Sequence, residues 1–150
     1  MNSKTEVQEF VAEKTLALVG ASRGGKKFGN TILKEMQTKG YTMYPVHPEA
    51  EEIDGVRCVP SLQDLPEDVG GVVFVVKPGV TEQLVREVKE AGISRVWMQQ
   101  GAASDQAIAY CREQGIDVVA NECLLMFSEP VQGIHGFHRW LWNIFGKLPR

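Results

Sequence analysis

Residues 16–29 read Leu16-Ala17-Leu18-Val19-Gly20-Ala21-Ser22-Arg23-Gly24-Gly25-Lys26-Lys27-Phe28-Gly29. An apolar, strand-forming run feeds a turn of small residues, then a basic loop, then a helix start. That local geometry aims backbone N–H groups at a phosphate-bearing ligand. The glycines depart from the G-x-G-x-x-G spacing of dinucleotide sites, because Ser22 stands where the second glycine would be and the loop before Gly29 is longer. The stretch therefore predicts nucleotide binding without naming the nucleotide.

The rest of the chain repeats the pattern of apolar strand and helix-period segment that builds a parallel sheet. Thr15–Val19 is the first predicted strand. Phe28, Ile32, Leu33 and Met36 then share a helical face, ended by Gly40. A second strand spans 41–46 and stops at His47-Pro48, where proline removes a donor and restricts its predecessor. A short third strand is expected at 56–59 and a capped helical turn at 61–65. Residues 71–76 are almost purely apolar and β-branched, as in a strand covered on both faces. Thr81 is assigned as the cap of a helix carrying Leu84, Val85, Val88 and Ala91, with Glu82 in its first turn and Gly92 past its end. A strand at 95–99, a Ser104-capped helix through Cys111 and a strand at Asp117–Ala120 complete the alternation. The expected fold is α/β, a Rossmann-like doubly wound, mostly parallel sheet of five to six strands with helices on both faces. No repeat or linker interrupts it, so residues 1–150 are read as one domain, with an aromatic helical extension at about 134–146 carrying Ile134, Phe137, Leu141, Trp142 and Phe145.

With 43% hydrophobic and 23% charged residues, 150 residues suffice for one buried core. A net charge of -3 argues against a general nucleic-acid binder, which usually carries a broad basic stripe. Cys58, Cys111 and Cys123 are widely spaced, which indicates neither a zinc site nor a disulfide framework and favours a reducing, cytoplasmic setting. No run approaches the roughly 18 apolar residues of a membrane span.

In such sheets ligands lie beyond the carboxyl ends of the strands, where strand order reverses. Those ends are Gly20-Ala21-Ser22, Val46-His47-Pro48, Val76-Lys77-Pro78 and Gln99-Gln100-Gly101. Small residues at the first allow close backbone approach, Ser22 supplies a hydroxyl, and Gly29 lets a phosphate reach the helix start. Arg23, Lys26 and Lys27 add positive charge. A NAD site needs an acid at the end of the second strand to take the ribose diol. Here Glu49 lies beyond the proline turn, so a ligand with extra phosphate suits the basic loop better.

The chain resembles the stand-alone CoA-binding proteins, single Rossmann-like domains similar to the CoA-binding domain of succinyl-CoA synthetase alpha subunits. The resemblance runs over roughly 15–125 and rests on Val19-Gly20-Ala21-Ser22 with Gly29, on Tyr44-Pro45-Val46-His47-Pro48, on Trp97-Met98-Gln99-Gln100-Gly101, and on Cys123 after the last strand. It implies that Gly20, Ala21, Ser22, Lys26, Lys27 and Gly29 hold the CoA diphosphate and that Val46, His47 and Pro48 border the nucleotide. Val76, Lys77, Pro78 and Val80 would wall the site, and Gln99 and Gly101 would close it. The chain departs from the family pattern at His47, where asparagine is usual, at Lys77, an arginine-like position, and at Leu124, where proline follows the cysteine. Lys77 keeps the charge but not the bidentate guanidinium contact.

No Ser-His-Asp set or carboxylate pair can be assembled from spacing, and no catalytic residue is assigned. His135 and His138 lack a third ligand, so no metal is assigned either. Cys123 is a candidate contact for the CoA thiol, through a mixed disulfide or as a nucleophile, although a buried structural thiol is the commoner case. The function expected is binding of coenzyme A or an acyl-CoA without catalysis, as a carrier or sensor. The alternatives are an NAD(P)-binding oxidoreductase or redox regulator, and an interaction subunit that has lost its ligand. The aromatic extension has few cations for a membrane surface and fits packing across the domain or across a homodimer.

Overall fold

The computed structural model of the protein describes residues 3–128. The expected aromatic extension, with His135 and His138, lies outside them. Five parallel strands form the main sheet: β1 (Thr15–Val19), β2 (Thr42–Val46), β5 (Gly71–Phe74), β6 (Arg95–Met98) and β7 (Asp117–Ala120), in the order β2-β1-β5-β6-β7. A separate antiparallel hairpin pairs β3 (Glu52–Ile53) with β4 (Val56–Arg57). Helices α1 (Lys4–Ala12), α2 (Phe28–Thr38), α3 (Pro78–Glu90), α4 (Asp105–Glu113) and α5 (Leu124–Phe127) surround the sheet.

Side-chain alternation along the strands divides the core in two. Leu16, Leu18, Val73, Trp97 and Val119 face a layer with Val7 and Phe10 of α1, Ile32, Leu33 and Met36 of α2, and Leu124 and Phe127 of α5. Ala17, Val19, Val72, Phe74, Val96 and Met98 face the other way, onto Val85 and Val88 of α3 and Ala107 and Cys111 of α4. Both faces of the sheet are therefore buried, which is why its strands read as continuous apolar runs.

Helix ends follow from local chemistry. Helix α2 closes in a Schellman motif, Tyr41 N–H donating to the Met36 carbonyl and Gly40 N–H to that of Gln37, with Gly40 at φ 96°. Helices α3 and α4 close in the same way at Gly92 and Gly115. Ser104 caps α4 by accepting from Ala107 N–H at 3.1 Å.

Several expectations are corrected. The strand at 56–59 contributes β4 to the hairpin rather than a sixth strand to the sheet, because the type I′ turn at Asp54 (φ 51°) and Gly55 (φ 79°) folds it back on β3; Val59 makes only an isolated bridge to Val46. Residues 62–64 form a 3-10 turn, and Ser61 bonds the Asp64 carboxylate at 2.7 Å instead of capping the backbone. Helix α3 begins at Pro78, whose fixed φ suits the first helical position, so Thr81 is an interior, fully buried residue and Glu82 falls beyond the first turn. Phe28 is 49% exposed rather than part of the α2 core face.

Helices α1 and α5 are additional elements. Ser3 and Glu6 form a capping box at the start of α1. Glu6 also meets Arg112 at 2.8 Å; burial raises its pKa, but Arg112 and the Ser3 bonds outweigh that and hold it below the ordinary value.

Candidate functional site

Strand order places the topological switch point between β1 and β5. From β1 the chain moves outward through α2 to β2, then returns past β1 to β5. The crevice at the carboxyl ends of these two strands is where doubly wound sheets take ligands. Its floor is tight: Val75 N–H donates to the Val19 carbonyl at 2.8 Å, and Gly20, at φ 127°, presses its backbone on Val75. A Cβ at Gly20 would overlap the Val75 carbonyl, and one at Gly29 would overlap the Gly20 carbonyl and Ala21 N. These two glycines let β1, β5 and α2 converge without intervening side chains.

Two helix N-termini meet this crevice from opposite faces of the sheet, α2 at Phe28 and α3 at Pro78. Lys27 and Lys77 are their N-caps, and neither helix has a side-chain cap bond. Asn30 N–H donates to the Lys27 carbonyl and Val80 N–H to that of Lys77, and Pro78 has no N–H, so the first-turn groups left for a ligand are the N–H of Phe28 and Gly29 on α2 and of Gly79 on α3, with the helix dipoles behind them. Arg23, Lys26, Lys27 and Lys77 are exposed around it. The arrangement can hold an anion with more than one phosphate. Phe28 and Val80, 49% and 40% exposed, put apolar surface beside both helix starts.

The loop itself is braced by residues that sequence reasoning missed. Asn30, 4% exposed on α2, accepts from Ser22 N–H at 2.9 Å and donates to the Ser22 carbonyl at 2.9 Å and to Asp54 Oδ2 at 2.8 Å. The Asn30–Asp54 contact spans 24 residues, and no local spacing announces it.

At the end of β2, His47 Nδ1 accepts from Glu49 N–H and Ala50 N–H, both at 3.0 Å. An asparagine oxygen commonly closes a turn in this way, so His47 fills that role and keeps its ring proton on Nε2, free to donate. Glu49 is folded into the turn backbone and exposed, not placed as an acid at the strand end. A cavity of about 440 Å³ opens here, lined by His47, Pro48, Glu49, Glu52, Arg57 and Cys58 among others. Burial, then Glu52, pushes the Cys58 thiol up.

At the end of β6, Gln99 is 2% exposed and its Oε1 accepts from Leu124 N–H at 2.6 Å. A proline at 124 could not donate this bond, so Leu124 keeps a backbone donor that holds Gln99 inward. Trp97 Nε1 donates to the Glu122 carbonyl at 2.9 Å, leaving half-buried Cys123 between two anchored neighbours. Gly101, at φ 87°, turns the chain away in the open. Below α5, Lys39 is 7% exposed and donates to the Leu125 and Ser128 carbonyls and to Ser128 Oγ at 3.0, 3.0 and 2.8 Å. Burial lowers its pKa against the opposing pull of Glu35 and Cys123.

The structure thus brings Gly20, Ala21, Ser22, Gly29, Val76, Lys77, Pro78 and Val80 to the two sides of one crevice. Val46, His47 and Pro48 stand at the adjacent edge strand, and Gln99 turns inward. Among the described residues no group of three or more His, Cys, Asp or Glu could hold a metal ion, and no helix is long and apolar enough to cross a membrane.

Similarity to known proteins follows the same boundaries. An uncharacterized protein from Bacillus subtilis is 32% identical over 127 residues, covering 81% of this chain and 91% of that protein. An ADP-forming acetate–CoA ligase from Archaeoglobus fulgidus is 28% identical over 128 residues, but the chain spans only 19% of its length. Among solved structures, a conserved hypothetical protein from Pyrococcus furiosus is 39% identical with a TM-score of 0.72, covering 75% of this chain and 97% of that one. The CoA binding domain family matches residues 14–129, from the start of β1 through α5, so the switch-point crevice lies wholly within the matched segment. With its fold, its crevice and its matched span in agreement, the chain belongs to the family of CoA-binding domains.

Proposed function

We propose that this domain binds coenzyme A or an acyl-CoA at the β1/β5 crevice and serves as a carrier or sensor module without catalysing a reaction itself. The observation that carries the reading is the convergence of two uncapped helix N-termini and four exposed cations on the one crevice whose walls need glycine. The backbone from Gly20 to Ser22, with Lys26, Lys27 and Gly29, takes the diphosphate. Val46, His47 and Pro48 border the nucleotide, and Val76, Lys77, Pro78 and Val80 form the opposite wall. Gln99, whose Oε1 accepts from Leu124 N–H at the start of α5, and Gly101 close the site. Of the acetate–CoA ligase named above, only the part that holds CoA is extended to this chain.

Cys123 is a contact for the CoA thiol, being half-buried beyond the end of β7. The three free cysteines suit a reducing cytoplasm. The aromatic extension at about 134–146 joins two copies as a homodimer or packs across its own domain, and light scattering and thermal unfolding of the full chain against a chain ending at 133 would separate the two.

Titration calorimetry tests the central point. CoA is expected to bind, and Lys26→Ala combined with Lys27→Ala is expected to weaken it about three- to tenfold, as for two exposed charge contacts. NADH binding without CoA binding would overturn the reading in favour of an oxidoreductase or redox regulator. Binding of neither would overturn it in favour of an interaction subunit.

A further inference from the structure

We propose that Asp54, at the tip of the β3–β4 hairpin, is a positioning residue for the phosphate loop, acting through Asn30. The inference rests on the CoA-binding reading above and names what sets that loop's shape. Asn30 ties Ser22 on both sides, taking its N–H and donating to its carbonyl. The same carboxamide nitrogen donates its second hydrogen to Asp54 Oδ2 at 2.8 Å.

A carboxylate only accepts, so Asp54 reinforces the Ser22 pair in fixing which way the Asn30 amide faces and holds the whole carboxamide against the loop. Turned over, Asn30 would set its oxygen against both the Asp54 carboxylate and the Ser22 carbonyl, and its NH2 against Ser22 N–H. With the amide fixed, Ser22 N–H is committed inward, and Gly25 N–H closes a turn on the Ser22 carbonyl at 3.2 Å. Ser22 N–H is thereby withheld from a phosphate, which is left to the other N–H groups of the 20–29 loop, while the Ser22 hydroxyl also leans on Asn30, donating to its Oδ1 at 3.4 Å. The hairpin tip also lies beside the loop, so that a Cβ added at Gly25 would lie 3.3 Å from Asp54 Oδ1. Asp54 holds this place from a left-handed backbone, φ 51°, which aspartate, asparagine and glycine tolerate.

A carboxylate near bound phosphates also repels them, so loss of its charge and loss of its hydrogen bond act in opposite directions. Two substitutions separate these effects. Asp54→Asn and Asp54→Gly both remove the charge and both accept the backbone angle, but only Asp54→Asn retains an acceptor for Asn30. In calorimetry with CoA, Asp54→Asn is expected to bind at least as tightly as the wild type and Asp54→Gly about fivefold more weakly than Asp54→Asn, the worth of one hydrogen bond. In the ligand-free proteins, Ser22 N–H is expected to exchange with solvent faster in Asp54→Gly than in Asp54→Asn. Equal CoA affinities for the two variants would overturn the proposal, whether or not exchange differs. A wild-type chain that binds no CoA refutes the functional reading instead, and the Ser22 exchange ratio then decides the Asp54–Asn30 latch alone.

Discussion

Gly29→Ala tests how closely α2 must approach the end of β1. The added methyl would meet the Gly20 carbonyl carbon and oxygen and Ala21 N, all backbone atoms that cannot swing aside as a side chain would. Overpacking of this kind costs about 1–3 kcal/mol. Alanine recovers up to about 1 kcal/mol over glycine inside a helix, and less in the first turn where Gly29 sits. The expected net loss in urea unfolding is therefore about 1–2 kcal/mol at unchanged m-value. Because relief of the clash must push Gly20-Ala21-Ser22 away from the α2 N-terminus, CoA affinity is expected to fall at least about tenfold, the loss of one or more charge-assisted hydrogen bonds. Gly24→Ala is the control. It lies in the same loop outside the left-handed region, and its nearest neighbour would be Ser22 Oγ at 3.9 Å. It is expected to stay within about 0.5 kcal/mol of wild type. If Gly29→Ala matched Gly24→Ala in both stability and affinity, the close-approach argument would be wrong.

Two further predictions concern the core on either side of the sheet. Cys111 is fully buried on α4, and burial, only partly offset by Arg112, raises its thiol from 9.0 to about 11. Its stabilising effect is therefore complete below pH 9 and lost as pH rises through 11, about 3 kcal/mol in all, so Cys111→Ala is expected to flatten urea stability over that window. Lys39→Met leaves the Leu125 and Ser128 carbonyls and Ser128 Oγ without this donor, an expected loss of about 1–3 kcal/mol at pH 7 measured by thermal unfolding. Because burial lowers the Lys39 pKa, its contribution grows as pH rises toward the ordinary 10.5, opposite to the Cys111 trend, and that rise is expected to vanish in Lys39→Met.

The sheet was legible because burial on both faces writes itself as short apolar runs, and because glycines past α2, α3 and α4 mark helix ends that only a left-handed residue closes well. Legibility failed where two local signals competed. Pro78 and Thr81 are both helix-start residues, and the proline prevailed because it fits the first helical position. The Asp54-Gly55 pair is a hairpin signal in its own right, and it outweighed the reading of 56–59 as a sheet strand. The Ser3-x-x-Glu6 capping box ahead of Val7 and Phe10 was equally readable as the start of α1. In the site, strand ends could be found from the alternation of strands and helices alone, since the fold class dictates where they gather. The Asn30–Asp54 brace could not, because it joins residues 24 apart across two elements whose mutual placement is tertiary. The inward set of Gln99 depends likewise on a backbone N–H supplied from α5.

The most direct test of the central claim is a crystal structure of the full chain with CoA. The account predicts the diphosphate at the α2 N-terminus, within hydrogen-bond distance of backbone N–H groups of the loop from Gly20 to Gly29, with the adenosine toward His47 and the pantetheine passing Lys77. CoA bound elsewhere, with the β1/β5 crevice empty, would contradict it.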